Sequence, residues 1–128
     1  MKRLWISAAL ILALAGLSAA HVLYLRHFTG QLTELLIQAQ QLVDEDRWQD
    51  ADEITRQAAG IWENNAFYLH TTLRHEDIDA ILTSFQEVLA FLDGQERQPA
   101  EYAAANARLI TLLDLLLEAE LPTLKNLL

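Results

Sequence analysis

The sequence predicts an all-α protein: an N-terminal transmembrane helix followed by a small antiparallel helical bundle. Three observations predict it. Leu4 to Leu25 is a run of 22 residues without Asp, Glu, Lys or Arg. The rest of the chain repeats its apolar residues at helical spacing. The chain of 128 residues holds only four Gly and two Pro but is rich in Leu, Ala, Glu and Gln, a helix-forming composition. No segment reads as a β-strand.

The opening run is long enough to cross a hydrocarbon core, which takes roughly 20 helical residues. Residues 1–26 are therefore assigned to a membrane anchor that meets the lipid bilayer through residues 4–25. Lys2 and Arg3 precede it, and the positive-inside rule places the N-terminus in the cytoplasm and the remainder outside. Arg26 and His27 weaken that bias slightly. Trp5 and Tyr24 stand near the two ends, where aromatic rings suit the interface. The rival reading is a secretory signal, with Ser18-Ala19-Ala20 as a small-residue cleavage site before His21. The apolar run continues past that site through Val22, Leu23, Tyr24 and Leu25, which favours a retained anchor. Ala9, Ala13, Gly16 and Ala20 recur at spacings of three or four, and such small-residue faces let transmembrane helices approach closely.

Residues 27–128 form an acidic domain, expected to be extracytoplasmic. All 18 acids lie at or beyond Glu34, and six Lys/Arg against them leave this part with a formal charge of −12. A nucleic acid is a polyanion and is excluded as a partner on that ground. An anionic lipid surface also repels such a domain. With no Cys in the chain, disulfides, thiolate nucleophiles and Cys-based zinc sites are absent.

Four helical segments are expected in this domain. The first runs from about Thr29 to Val43, with a stripe of Phe28, Leu32, Leu35, Leu36, Ala39, Leu42 and Val43. Gly30 is the soft point where it meets the anchor. Asp46 and Gln49 form a capping-box-like pair that opens the second, which runs to about Trp62. Trp48 and Trp62 lie on its apolar stripe and read as core. The first two segments resemble one tetratricopeptide-like hairpin, but no second copy follows at a fixed period. Asn64-Asn65 is a turn signal. The third segment spans about Ala66 to Leu92 and ends at Asp93-Gly94, where Gly94 suits a left-handed cap. Pro99 fits the first position of the fourth, about Ala100 to Ala119, and Pro122 is expected to stop or kink it. Short connections favour antiparallel neighbours.

Candidate chemistry concentrates in His70 to Asp79. His75 and Asp79 share a helix face and are weak candidates for one metal ion, but the His-Glu-x-x-His pattern is missing and further ligands have to come from elsewhere. Projected at 100° per residue from Ile78, Arg74 falls inside the apolar stripe, and a half-buried Arg needs a partner. The preferred reading is a structural polar clasp in which Arg74 and His70 meet Glu120 or Asn126 from the end of the fourth helix. Glu118 is a further acid within reach of it. There is no phosphate loop, nucleophile elbow or Ser/His/Asp pattern, so the chain is not expected to be an enzyme and no cofactor is implied.

Three short motifs carry a resemblance that spans nearly the whole chain: Met1-Lys2-Arg3-Leu4, His75-Glu76-Asp77-Ile78-Asp79, and Leu124-Lys125-Asn126-Leu127-Leu128. On these the chain resembles an uncharacterised family of small single-span helical proteins of clostridial bacteria, domain of unknown function 4363. The resemblance implies the membrane-anchored topology and no reaction, and it suggests a multi-span membrane protein as partner. The functional expectation is an interaction module that binds another membrane protein or itself. The alternative is a cell-surface cation or small-ligand domain using His70, His75 and Asp79.

Overall fold

The computed structural model describes the backbone of residues 1–127 and the side chains of residues 1–121. Five helices make up the fold: α1 (Lys2–Asp44), α2 (Trp48–Asn64), α3 (Ala66–Thr72), α4 (His75–Asp93) and α5 (Pro99–Leu127). The protein is all-α, a long apolar N-terminal helix followed by packed helices.

The apolar N-terminal run and the first bundle segment are a single helix. α1 has 43 residues and is about 64 Å long at 1.5 Å per residue. Gly30 does not interrupt it. The residue lies in helical backbone with open space on its Cα, so its freedom is not used. Side-chain character changes along α1 instead. Leu4, Trp5, Ile6, Leu10, Ile11, Leu12, Leu14 and Leu17 are exposed, whereas Val22, Leu25, Phe28, Leu32, Leu36, Ala39 and Val43 are buried at spacings of three and four. Burial begins at Val22, so the last turn of the predicted span is also the first turn of the bundle.

α1 packs against α2 and α5, and α4 packs against the same two helices, giving an up-and-down ring of four with α3 as a single short step at one end. The turn from α1 to α2 is a Schellman motif. The amides of Asp46 and Arg47 donate to the carbonyls of Val43 and Leu42 at 2.9 and 2.8 Å, and Asp46 takes the left-handed conformation with φ 62°. A short polar side chain tolerates that region better than a bulky one. Asp46 does not act as the expected N-cap: Arg47 holds that position, and the Asp46 carboxylate instead accepts from the Trp48 indole N–H at 3.0 Å. Trp48 and Trp62 are buried in the core as expected.

The third expected segment is two helices. Leu73 and Arg74 are extended, with ψ of 164° and 138°. The Thr71 and Thr72 hydroxyls both donate back to the Tyr68 carbonyl at 2.8 Å, occupying the last turn of α3. Leu73 and Ile78, one residue before and four residues after the N-cap Arg74, are both buried and form a hydrophobic staple that restarts the helix. Glu76 and Asp77 then lie in the first turn of α4, where negative charge is favourable. At the far end Gly94 is extended, φ −68° and ψ 147°, not left-handed. α5 continues through Pro122 to Leu127; one missing amide is tolerated in a helix whose preceding turns are held by packing through Leu109, Leu113 and Leu116.

The core is apolar with a thin polar layer. Phe28, Trp62 and Phe85 form a chain of rings with centroids 5.8 and 6.3 Å apart, and Trp48 meets Tyr102 edge-on at 5.8 Å. Such rings are the main apolar payload of a small core. Asn106 donates to the Leu36 carbonyl at 3.0 Å, joining α5 to α1. The neighbouring Tyr102 and Thr55 hydroxyls are buried without a hydrogen bond of normal geometry. Burial, and secondarily the negative charge of Asp44, push the Tyr102 phenol up to about 12, against a smaller opposing pull from Thr55.

That shift sets a pH dependence. The fold holds Tyr102 neutral while the unfolded chain releases the proton near pH 10, so the contribution is complete below pH 10 and is lost as pH rises to about 12. The amount at stake is on the order of 3 kcal/mol. Urea unfolding of the micelle-bound chain, followed by circular dichroism, is expected to show stability falling over this range, and Tyr102→Phe to flatten most of that fall.

Candidate functional site

The end of the bundle nearest the exposed half of α1 gathers most of the unusual polar side chains. Two contacts bind α3 and its flank to α1. The Tyr24 hydroxyl donates to Asn65 Oδ1, and Asn65 in turn donates to the Ile61 carbonyl at 2.8 Å, closing the end of α2. His21 Nδ1 and the Tyr68 hydroxyl share a hydrogen bond of 2.5 Å. The other ring nitrogen of His21 lies 3.5 Å from a Glu120 carboxylate oxygen on α5. His21 thus joins three helices: its own, α3 through Tyr68, and α5 through Glu120.

Tyr24 connects this cluster to the core. Its ring meets Tyr68 edge-on at 4.6 Å and stacks on Phe28 at 5.9 Å. Burial, with Glu120's negative charge second, raises the Tyr68 phenol above its ordinary value. The phenol is therefore neutral through the physiological range and able to donate. Beside the cluster lies an open notch of about 410 Å³ between α1, α3 and α5, lined by Leu17, Ser18, His21, Tyr68, Thr72 and Glu120 among others. Leu17 and Val22 give it apolar walls, and Ser18, His21, Tyr68, Thr72 and Glu120 its polar ones. The His21–Glu120 contact is about one-fifth exposed on each partner, which limits it to roughly 1 kcal/mol or less.

The expected clasp is arranged differently. Arg74 is exposed at the N-cap of α4 and makes no ion pair among the described residues. The projection that buried it assumed a helix running through positions 73 and 74, and the break there turns it outward. Glu120 faces His21 instead. Glu118 is exposed, and the Asn126 side chain lies outside the described residues. The same break brings His70 and His75 together, with ring centroids 5.7 Å apart. Both are exposed, as is Asp79. No group of three His, Cys, Asp or Glu with metal-binding geometry occurs among the described residues.

His21, Tyr24, Asn65 and Tyr68 were not singled out by sequence pattern as one cluster. His21 is the readable sign, a polar ring inside the apolar run. Its partners lie 47 and 99 positions away along the chain, beyond any spacing rule.

Fold and site together define a class: a helical bundle whose first helix extends beyond it as an apolar rod, with a polar and aromatic cluster at the junction. The family model "Domain of unknown function (DUF4363)" matches residues 19–127, and the chain belongs to that family. The match begins beside the junction, at the last turn before the buried part of α1. Comparisons with curated proteins and with solved structures found no match.

Replacing Tyr68 by Phe removes one partly buried hydroxyl from His21 while keeping the ring against Tyr24. The expected cost is about 1 kcal/mol, read as a lower urea midpoint. Combined with Glu120→Gln, the two losses are expected to be less than additive, because both act through His21.

Proposed function

We propose that this chain is a membrane-anchored interaction module, with its N-terminus in the cytoplasm, the first half of α1 across the bilayer and the acidic bundle outside. The observation that carries the reading is the exposure of α1's first half. An 18-residue window there has a mean hydropathy of 2.1, and only 6% of it is buried. Left in water, such a surface costs about 25 cal/mol for each Å² of apolar area, and in lipid that cost vanishes. Retention of the anchor is supported by unbroken helix through Ser18, Ala19 and Ala20, followed at once by buried Val22 and Leu25. Lys2 and Arg3 support the orientation.

The partner class is another membrane protein or a second copy. Ala9, Ala13, Gly16 and Ala20 sit on the part of α1 that the bundle leaves free, with open space around Gly16, and helices associate in lipid through such small residues. The acidic surface of the bundle disfavours nucleic acid and anionic lipid alike.

Protease added to intact protoplasts is expected to remove the bundle, and mass spectrometry of the mature chain to find residues preceding His21 still attached. A bundle protected until the cells are lysed contradicts the orientation. A mature chain beginning at His21 contradicts the anchor.

A further inference from the structure

Outside residues 1–21, the most exposed large apolar side chain among the described residues is Phe67 on α3, at 85%. Leu69, two residues further on, is fully buried. A lone exposed apolar ring needs no partner in water; what gives this one meaning is its position.

The height of α3 relative to α1 sets that position. Asn65 is fixed level with Tyr24, and Tyr68 level with His21. Phe67 therefore lies level with residues 21–24 of α1, inside the apolar run and within about a turn of its end at Leu25. The part of α1 below the bundle, residues 2–21, spans about 30 Å, the thickness of a hydrocarbon core. No linker separates the two, because the same helix is apolar and exposed below Val22 and buried above it.

We propose that the α3 end of the bundle is a docking surface for the outer-leaflet phospholipid interface, with Phe67 inserted among the headgroups and upper acyl chains. This rests on the anchored reading above. Tyr24 and Tyr68 stand at the same level and supply the amphipathic rings that the interface favours. The notch beside them mixes Leu17 and Val22 with Ser18, His21, Tyr68 and Glu120, a lining that suits an amphipathic headgroup region. Charge does not select the surface: His21, His70, His75 and Arg74 at this end stand beside Glu63, Glu76, Asp77 and Glu120. The contact is aromatic and apolar in origin, so it holds on zwitterionic lipid and at high salt. Its consequence is a bundle seated upright and held against rotation, in place of one swinging on a tether.

The absence of Cys makes the test direct. Single nitroxide labels are placed by Phe67→Cys, by Leu12→Cys in the anchor and by Glu53→Cys on the exposed side of α2, in the full chain in phosphatidylcholine nanodiscs. Power saturation compares relaxation by oxygen with relaxation by a water-soluble nickel chelate. The expected result is an oxygen-to-nickel ratio at position 67 severalfold above that at 53 and below that at 12, unchanged by high salt. A ratio at 67 equal to that at 53, with 12 still in lipid, overturns the docking and leaves the anchor standing. Aqueous behaviour at position 12 removes the anchor, and the docking falls with it. Phe67 is exposed, so its replacement leaves the fold intact.

Discussion

One helix carries two kinds of surface. The lower half of α1 presents apolar side chains on all sides, and its upper half presents a single stripe to α2 and α5. Because both halves share one hydrogen-bonded backbone, the position of every other helix is referred to the lower half. α2 is fixed by the Schellman turn at Asp46, α3 by Tyr24 and His21, and α5 by His21 and by the Asn106 amide. No flexible joint intervenes. A force, a partner or a bilayer acting on the lower half acts on a rigid lever that ends in the core.

The polar groups on this lever sit at its junctions. Asn106 joins α5 to the middle of α1, and the His21 cluster joins α3 and α5 to the point where packing begins. Neither is strong in energetic terms. One buried amide bond is worth about 1 kcal/mol, and a partly exposed His–Glu contact less. Their effect lies in register: the buried Asn106 N–H reaches the Leu36 carbonyl at one sliding position of the helices and loses it at the neighbouring ones. Apolar packing through Phe28, Trp62, Phe85, Leu109 and Leu113 supplies the stability, and the polar pairs select one arrangement of it.

Much of this was legible from residues alone. The charge-free run marked the apolar helix, the stripes marked the faces that pack, and Trp48 and Trp62 read correctly as core. The family resemblance also held. What was missed was the break at Leu73–Arg74. In one continuous helix Leu69 and Leu73 would lie about 180° and 140° from Ile78, on the opposite face, a phase slip that marks it. The staple of Leu73 and Ile78 and the Thr71–Thr72 pair were the local signs of it. Losing that break misplaced Arg74 and hid the approach of His70 to His75. Gly94 and Asp46 show the opposite error: a residue suited to a left-handed position need not occupy it, and the left-handed turn after α1 is made by Asp. The junction cluster was beyond reach because His21, Tyr68 and Glu120 come together only after three helices have packed.

The continuity of α1 is the point on which the account stands. Nitroxide labels at Leu12→Cys and Ile37→Cys, both exposed in the fold and nearly on one helix face, measure it by pulsed dipolar spectroscopy in bilayer nanodiscs. An unbroken helix predicts a single narrow distribution near 38 Å, from 25 residues at about 1.5 Å each. A broad distribution centred well below that value means that the helix bends or melts between its lower half and the bundle, and the rigid coupling described above does not exist.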